Sequence, residues 1–300
     1  MPGAESTEAI DPDRLREELR AILTEVVREV DEVLHHPRPS PASLHRLHRE
    51  MRRLRTGLGI WGEILGATGQ ARLHPLLVRL RRLTRLVGQV RDRDVTLGLL
   101  EGAAERPATD EEREQLRQYR TRLADDARTG RELLRAFLRS EREARLFDLI
   151  AEGFELKPRA RSSVQLARVF AENQRRGHVE VVRAHRKARR RPSMDRLHRL
   201  RIRVRRLRQI SELAAAVDPE HDPAIAESLR RLQQHLGRLH DLDVLVQDLD
   251  PGLQAASWAR ALRRERRRQR KAIAKVLRAR KPRAVPSEPD AGRAVRPTPP

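Results

Sequence analysis

Apolar residues recur at intervals of three and four through most of the chain, the spacing that places them on one face of a helix. Leu15, Leu19, Ile22, Leu23, Val26, Val27 and Val30 predict a first helix over 13–34, and three prolines between His35 and Pro41 break it. The pattern resumes from about Ser43 to Leu65, turns at Gly66 to Gly69, and runs again from about Leu73 to Leu100. Pro107 to Asp110 cap a fourth helix reaching about Leu138, and Phe147, Ile150 and Phe154 mark a short helix and linker within 141–158. Four further helices follow over about 162–190, 193–216, 221–249 and 253–280. The reading is all-α. It divides into a disordered leader (1–11), a four-helix repeat (12–140), a linker with a short helix (141–160), a second four-helix repeat (161–280) and a disordered basic Pro-rich tail (281–300).

The polar positions repeat as strictly as the apolar ones. Leu44-His45-Arg46-Leu47, then Met51-Arg52-Arg53-Leu54-Arg55, reappears 153 positions later as Leu197-His198-Arg199-Leu200, then Val204-Arg205-Arg206-Leu207-Arg208. Leu197, Leu200, Val204 and Leu207 form one stripe, and His198, Arg201, Arg205 and Arg208 form an adjoining ladder of cations. A second pair of motifs follows. Gly88-Gln89-Val90-Arg91-Asp92-Arg93-Asp94-Val95 matches Gly237-Arg238-Leu239-His240-Asp241-Leu242-Asp243-Val244 at a shift of 149. Two motifs kept in order and spacing in both halves indicate a tandem duplication.

A helix reading H-x-x-[R/H]-x-x-x-R-R-L-R followed by G-x-x-[R/H]-D-x-D-V, present twice, resembles the CHAD family, the conserved histidine α-helical domain. The resemblance covers roughly residues 12–280. It implies two four-helix halves related by a pseudo-two-fold axis, with basic helices facing a shared surface or central channel. It also implies binding of inorganic polyphosphate and, in bacteria, association with polyphosphate granules. One position departs from the family pattern: the Arg three residues after the His is present as Arg201 but is His48 in the first copy.

Composition narrows the function further. The formal charge is +22, from 65 basic and 43 acidic residues, which points to a polyanionic partner. The charge is concentrated: residues 161–208 hold 17 Lys and Arg against 3 acids, and residues 259–300 hold 15 against 3. Aromatics make up only 2%, too few to suggest base-stacking readout of single strands. The absence of Cys excludes disulfides, thiolate metal sites and Cys nucleophiles. No apolar run is long enough to span a bilayer and no secretory signal is visible, so a cytoplasmic location is expected, possibly at granules.

The candidate ligand-binding residues form two walls. His45, His48, Arg49, Arg52, Arg53 and Arg55 make one, and His198, Arg201, Arg205, Arg206 and Arg208 the other, with Arg82, Arg85 and Arg231 on neighbouring helices. Arg suits the task because a guanidinium offers a planar fork of donors to phosphate oxygens and keeps its charge. Asp92 and Asp241 are expected behind them, orienting Arg or His of the facing helix, with Gly88 and Gly237 allowing the helices to approach. His48 is expected to make binding tighten as pH falls through roughly 6.5. A metal site at His45 and His48 is disfavoured because the second copy has Arg201, which is not a metal ligand, at the equivalent position. No nucleotide loop, hydrolase elbow or zinc-protease motif occurs, so no catalytic residue, metal or cofactor is assigned. The expected partner is inorganic polyphosphate. The alternatives are non-specific nucleic-acid binding through the basic C-terminal helix and tail, or, less favoured, a metal-dependent phosphohydrolase. Oligomeric state is not legible in the sequence.

Overall fold

The computed structural model describes residues 11–36, 39–102, 107–157, 162–218, 221 and 224–279. The leader before Asp11 and the Pro-rich tail from Lys281 lie outside the described residues. Nine α-helices make up the described chain: α1 (Pro12–His35), α2 (Pro41–Ile64), α3 (Gly66–Glu101), α4 (Asp110–Glu143), α5 (Leu146–Phe154), α6 (Ser162–Arg190), α7 (Met194–Val217), α8 (Ala224–Asp248) and α9 (Ser257–Ala279). No strand occurs among the described residues.

Local sequence chemistry sets the helix starts. The Ser40 and Ser193 side chains, again 153 positions apart, accept from the backbone N–H groups of Ser43 and Arg196 and cap the two motif helices. Pro41, at the first helical position of α2, needs no intrahelical donor partner, so the helix begins slightly before the expected Ser43. The α3 helix differs more from expectation. It starts at Gly66, not near Leu73, because the chain reverses at one residue: Gly66 takes a left-handed φ, of +77°. Gly69 then lies buried within the helix against Leu65, and Pro75 is tolerated on the exposed side, where its unbonded carbonyl partner meets solvent. The α4 helix extends past Leu138 to Glu143, its last turn tied down by the Arg79–Glu141 pair at 2.7 Å.

Consecutive helices pack against one another within each set, α1 to α4 and α6 to α9. Leu44, Leu47, Met51 and Leu54 of α2, and their counterparts Leu197, Leu200, Val204 and Leu207 of α7, are all buried. Apolar packing also crosses between the sets. Ile210, Leu213, Ala214 and Val217 of α7 and Leu166 and Phe170 of α6 join the core built by α1 to α5. Trp61 donates from its ring N–H to the Gly153 carbonyl at 3.0 Å, fastening α5 to α2.

The two motif helices meet at an axis. Thr56 Oγ1 donates to Gln209 Oε1 at 3.4 Å, and these two residues occupy equivalent positions, 153 apart. Equivalent residues touch one another only close to a two-fold axis. The α2 and α7 helices thus turn the same face toward each other, and that face carries the cation ladders.

Candidate functional site

His45, His48, Arg52 and Arg55 follow three-four-three spacing along α2, and His198, Arg201, Arg205 and Arg208 follow it along α7. Their fields overlap across the axis. Arg205 and Arg201 both depress the proton affinity of Arg52, after the larger effect of burial, and Arg55 does the same to Arg205. A guanidinium keeps its proton under such pressure, so the crowding appears as unrelieved repulsion.

Relief from within the protein is slight. Among the described residues, Arg52, Arg55, Arg201 and Arg205 have no hydrogen bond or ion pair with any protein group. The Nε atoms of Arg52 and of Arg91, which enters from α3, are buried without an acceptor. A buried donor left unbonded costs on the order of 1–3 kcal/mol, so these two donors favour an acceptor placed beside them. The nearby carboxylates are Asp92 and Asp241. Asp92 accepts from Arg91 Nη1 at 2.8 Å, while Asp241 is raised in pKa by burial and drawn back down by Arg91 and Arg201. Asp92 thus steadies Arg91 on its own helix, and Asp241 of α8 faces Arg91 of α3 and Arg201 of α7.

Two of the motif residues absent from the sequence-based walls belong here. Arg91 and His240 are equivalent positions at a shift of 149, and both reach the cluster. His240 Nδ1 lies 3.4 Å from His198 Nδ1, with ring centroids 4.9 Å apart. The signal was the basic position of G-x-x-[R/H]-D, read as part of the repeat but not as part of the site. Arg81 of α3 is a further addition, close enough to lower the pKa of Arg55.

The histidines of both ladders are held below the ordinary imidazole value. Burial, then Arg52, Arg91 and Arg205, push His48 down to about 2, far from the ordinary 6.5. Burial and Arg201 push His240 down to about 3. His45 and His198 are lowered by burial and neighbouring arginines as well. All four rings are therefore neutral at physiological pH. Gly88 fits the expectation of close approach, since a Cβ there would meet His48 Nε2 at 3.2 Å. Gly237 does not: an added Cβ would meet nothing within 4 Å.

Several expected wall residues are engaged elsewhere. Arg53 bonds Glu50 and Glu18, each at 2.8 Å, and Arg49 bonds Glu50 at 2.6 Å while still facing His45. Arg208 is held by Glu212 and Gln233, yet its charge still reaches Arg52. Arg82 stacks over the Phe137 ring of α4, and Arg231 lines a separate cleft among α6, α8 and α9. Arg85 is exposed. Arg206 lines a cavity of about 420 Å³ beside the ladders, together with Arg55, Arg81, His74 and Arg205.

The second aspartate of each motif points the other way. Asp94 pairs with Arg131 of α4, and Asp243 lies 3.5 Å from Arg266 of α9. The first aspartate therefore lies beside the arginine cluster, and the second fastens the next helix.

Both repeats, with their motifs, meet the profile of one known family. The CHAD domain profile matches residues 14–247 and again 205–297. The chain belongs to the CHAD family. Its fold is similar to the crystal structure of the CHAD domain from the plant Ricinus communis, with a TM-score of 0.65 and 20% identity over 94% of this chain and 96% of that one. At that identity the likeness concerns the fold alone. No curated protein matches the chain. Among the described residues of this CHAD protein, no helix is long and apolar enough to cross a membrane, and no group of three or more His, Asp and Glu converges as a metal site.

Proposed function

We propose that this CHAD protein binds inorganic polyphosphate along the facing ladders of α2 and α7, and that it acts as a binding module, not an enzyme. The observation that carries the reading is the set of four guanidinium groups, Arg52, Arg55, Arg201 and Arg205, that make no hydrogen bond or close ion pair among the described residues, around the orphaned Nε of Arg52. From His45 to Arg55 the ladder extends about 15 Å along the helix, so it suits an extended anion better than a compact one. Polyphosphate is also narrow, and its chain can enter a cleft between two packed helices that would exclude a nucleic-acid duplex. Association with polyphosphate granules follows as the setting that family membership suggests.

The test is a competition between polyphosphate and duplex DNA at matched phosphate concentration. The double reversal Arg201→Glu, Arg205→Glu, shown to be helical by far-UV circular dichroism, should lose selective polyphosphate binding, by more than ~3 kcal/mol. Deleting residues 281–300 should weaken both ligands modestly and alike. A folded double variant with wild-type preference, beside a truncation that loses it, would place the function in the tail. Polyphosphate incubated with the protein should keep its length, and release of orthophosphate would overturn the non-catalytic part of the reading.

A further inference from the structure

The outer face of the second repeat carries cations that the channel does not use. Between α6 and α7 lies an open groove of about 760 Å³, lined by Arg183, Lys187 and Arg190 on one side and Arg196, Arg199 and Arg203 on the other. Each set follows helical spacing, so two lines of charge about 10 Å long face each other. Glu180 is the carboxylate in this lining, and it is taken by Arg203 at 2.9 Å. Arg183, Lys187 and Arg190 pair with no carboxylate among the described residues, and Arg199 reaches Asp195 only at 4.0 Å.

Arg-rich solvated faces are common, and the first repeat provides the control. The positions equivalent to Arg196, Arg199 and Arg203 are Ser43, Arg46 and Glu50. There the face is closed by the protein's own carboxylates. Glu29 of α1, 0% exposed, accepts from Arg46 at 2.7 Å, and Glu50, 4% exposed, accepts from Arg49 and Arg53. In the second repeat Arg203 stands where that buried Glu50 stood. The same architecture has exchanged an internal counter-charge for an additional cation, which leaves the groove to be neutralised from outside.

The groove also abuts the cavity beside the ladders. Ile202 lines both the outer groove and that cavity, with Arg205 and Arg206 on one side of it and Arg199 and Arg203 on the other. We propose that the α6–α7 groove is a second polyanion track, joined to the channel across Ile202, that receives the part of a long polyphosphate chain emerging from the channel. This rests on the polyphosphate reading and gives it a chain-length preference. Chains that span only the channel ladder use one site, and longer chains use both in tandem, so that the second engagement becomes intramolecular.

The experiment compares chains about 15 Å long with chains several times longer, on the full-length protein. The variant Arg183→Glu, Lys187→Glu, Arg199→Glu should lower long-chain affinity by about tenfold or more and short-chain affinity by less than about threefold. If the reversal does not fold, the Gln triple variant makes the same comparison. Four results overturn the proposal: no long-chain advantage in the wild type, no change in either affinity, an equal fall in both, or a loss confined to duplex DNA, which would assign the groove to nucleic acid. Failure of the underlying reading looks different, because Arg201→Glu, Arg205→Glu would then leave short-chain binding intact.

Discussion

His48 stands where the second repeat has Arg201, and its neutrality keeps one more charge out of an already crowded channel. Its pKa of about 2 and that of His240 at about 3 lie below the usual imidazole value of 6.5. The unfolded chain therefore takes up these protons first. The stability due to the neutral rings is complete above about pH 6.5 and is lost as pH falls toward 3. A bound polyanion reverses the balance by raising both pKa values. Binding of polyphosphate should then take up protons and tighten as pH falls, and titration calorimetry in buffers of different ionisation enthalpy measures that uptake. Proton-neutral binding throughout the acid range in which the protein stays folded would remove the histidines from the chemistry of the site. His48→Arg adds a permanent charge beside Arg52, Arg91 and Arg205. It should lower the melting temperature of the empty protein by a few degrees, abolish His48's share of the proton uptake, and enlarge the stabilisation that polyphosphate confers.

At the scale of helices, the two aspartates of G-x-x-[R/H]-D-x-D-V separate stability from binding. Asp94 is buried against Arg131 and holds α4 to α3. Asp94→Ala strands that guanidinium and should cost about 3 kcal/mol in urea denaturation, with the affinity of the folded fraction for polyphosphate unchanged. Asp241→Asn removes a negative charge from beside Arg91 and Arg201 and should alter binding more than stability; the reverse ranking of these two variants would refute the division. That the two residues face opposite sides was legible from their separation of two. Which of them faced the ligand was not, because Arg131 is 37 residues away on another helix. The same limit explains why Arg53 and Arg52 look alike in sequence: Glu18, which claims Arg53, lies 35 positions earlier. Helices α2 and α7 were legible nearly to the residue because cap, apolar stripe and cation ladder recur together. The start of α3 was not, since Gly66-Ala67-Thr68-Gly69 has the composition of a turn, whereas in the fold the chain turns at Gly66 and Gly69 lies inside the helix against Leu65. Arg91 and His240 join the channel through the packing of α3 and α8, which helical periodicity does not specify.

Over the whole molecule, folding brings two like-charged faces together at the pseudo-two-fold axis. The apolar packing that carries α7 residues Ile210 to Val217 into the first repeat's core offsets the repulsion. The free protein is therefore held together against the repulsion of its own ladders, and under the proposed function a bound polyphosphate chain would relieve it. Salt should act with opposite sign on the two states. Raising ionic strength screens Arg52 from Arg201 and Arg205, so the melting temperature of the free protein should rise. The same salt competes for the cations and reduces the counterion release that drives binding, so polyphosphate affinity should fall steeply between about 50 mM and 200 mM. Thermal melts with and without polyphosphate across that range measure both trends. The two melting curves should converge as salt increases, from below for the free protein and from above for the complex. A free protein destabilised by salt would mean that the ladders do not oppose one another across the axis. An affinity indifferent to salt would mean that the unpaired arginines are not what holds the ligand.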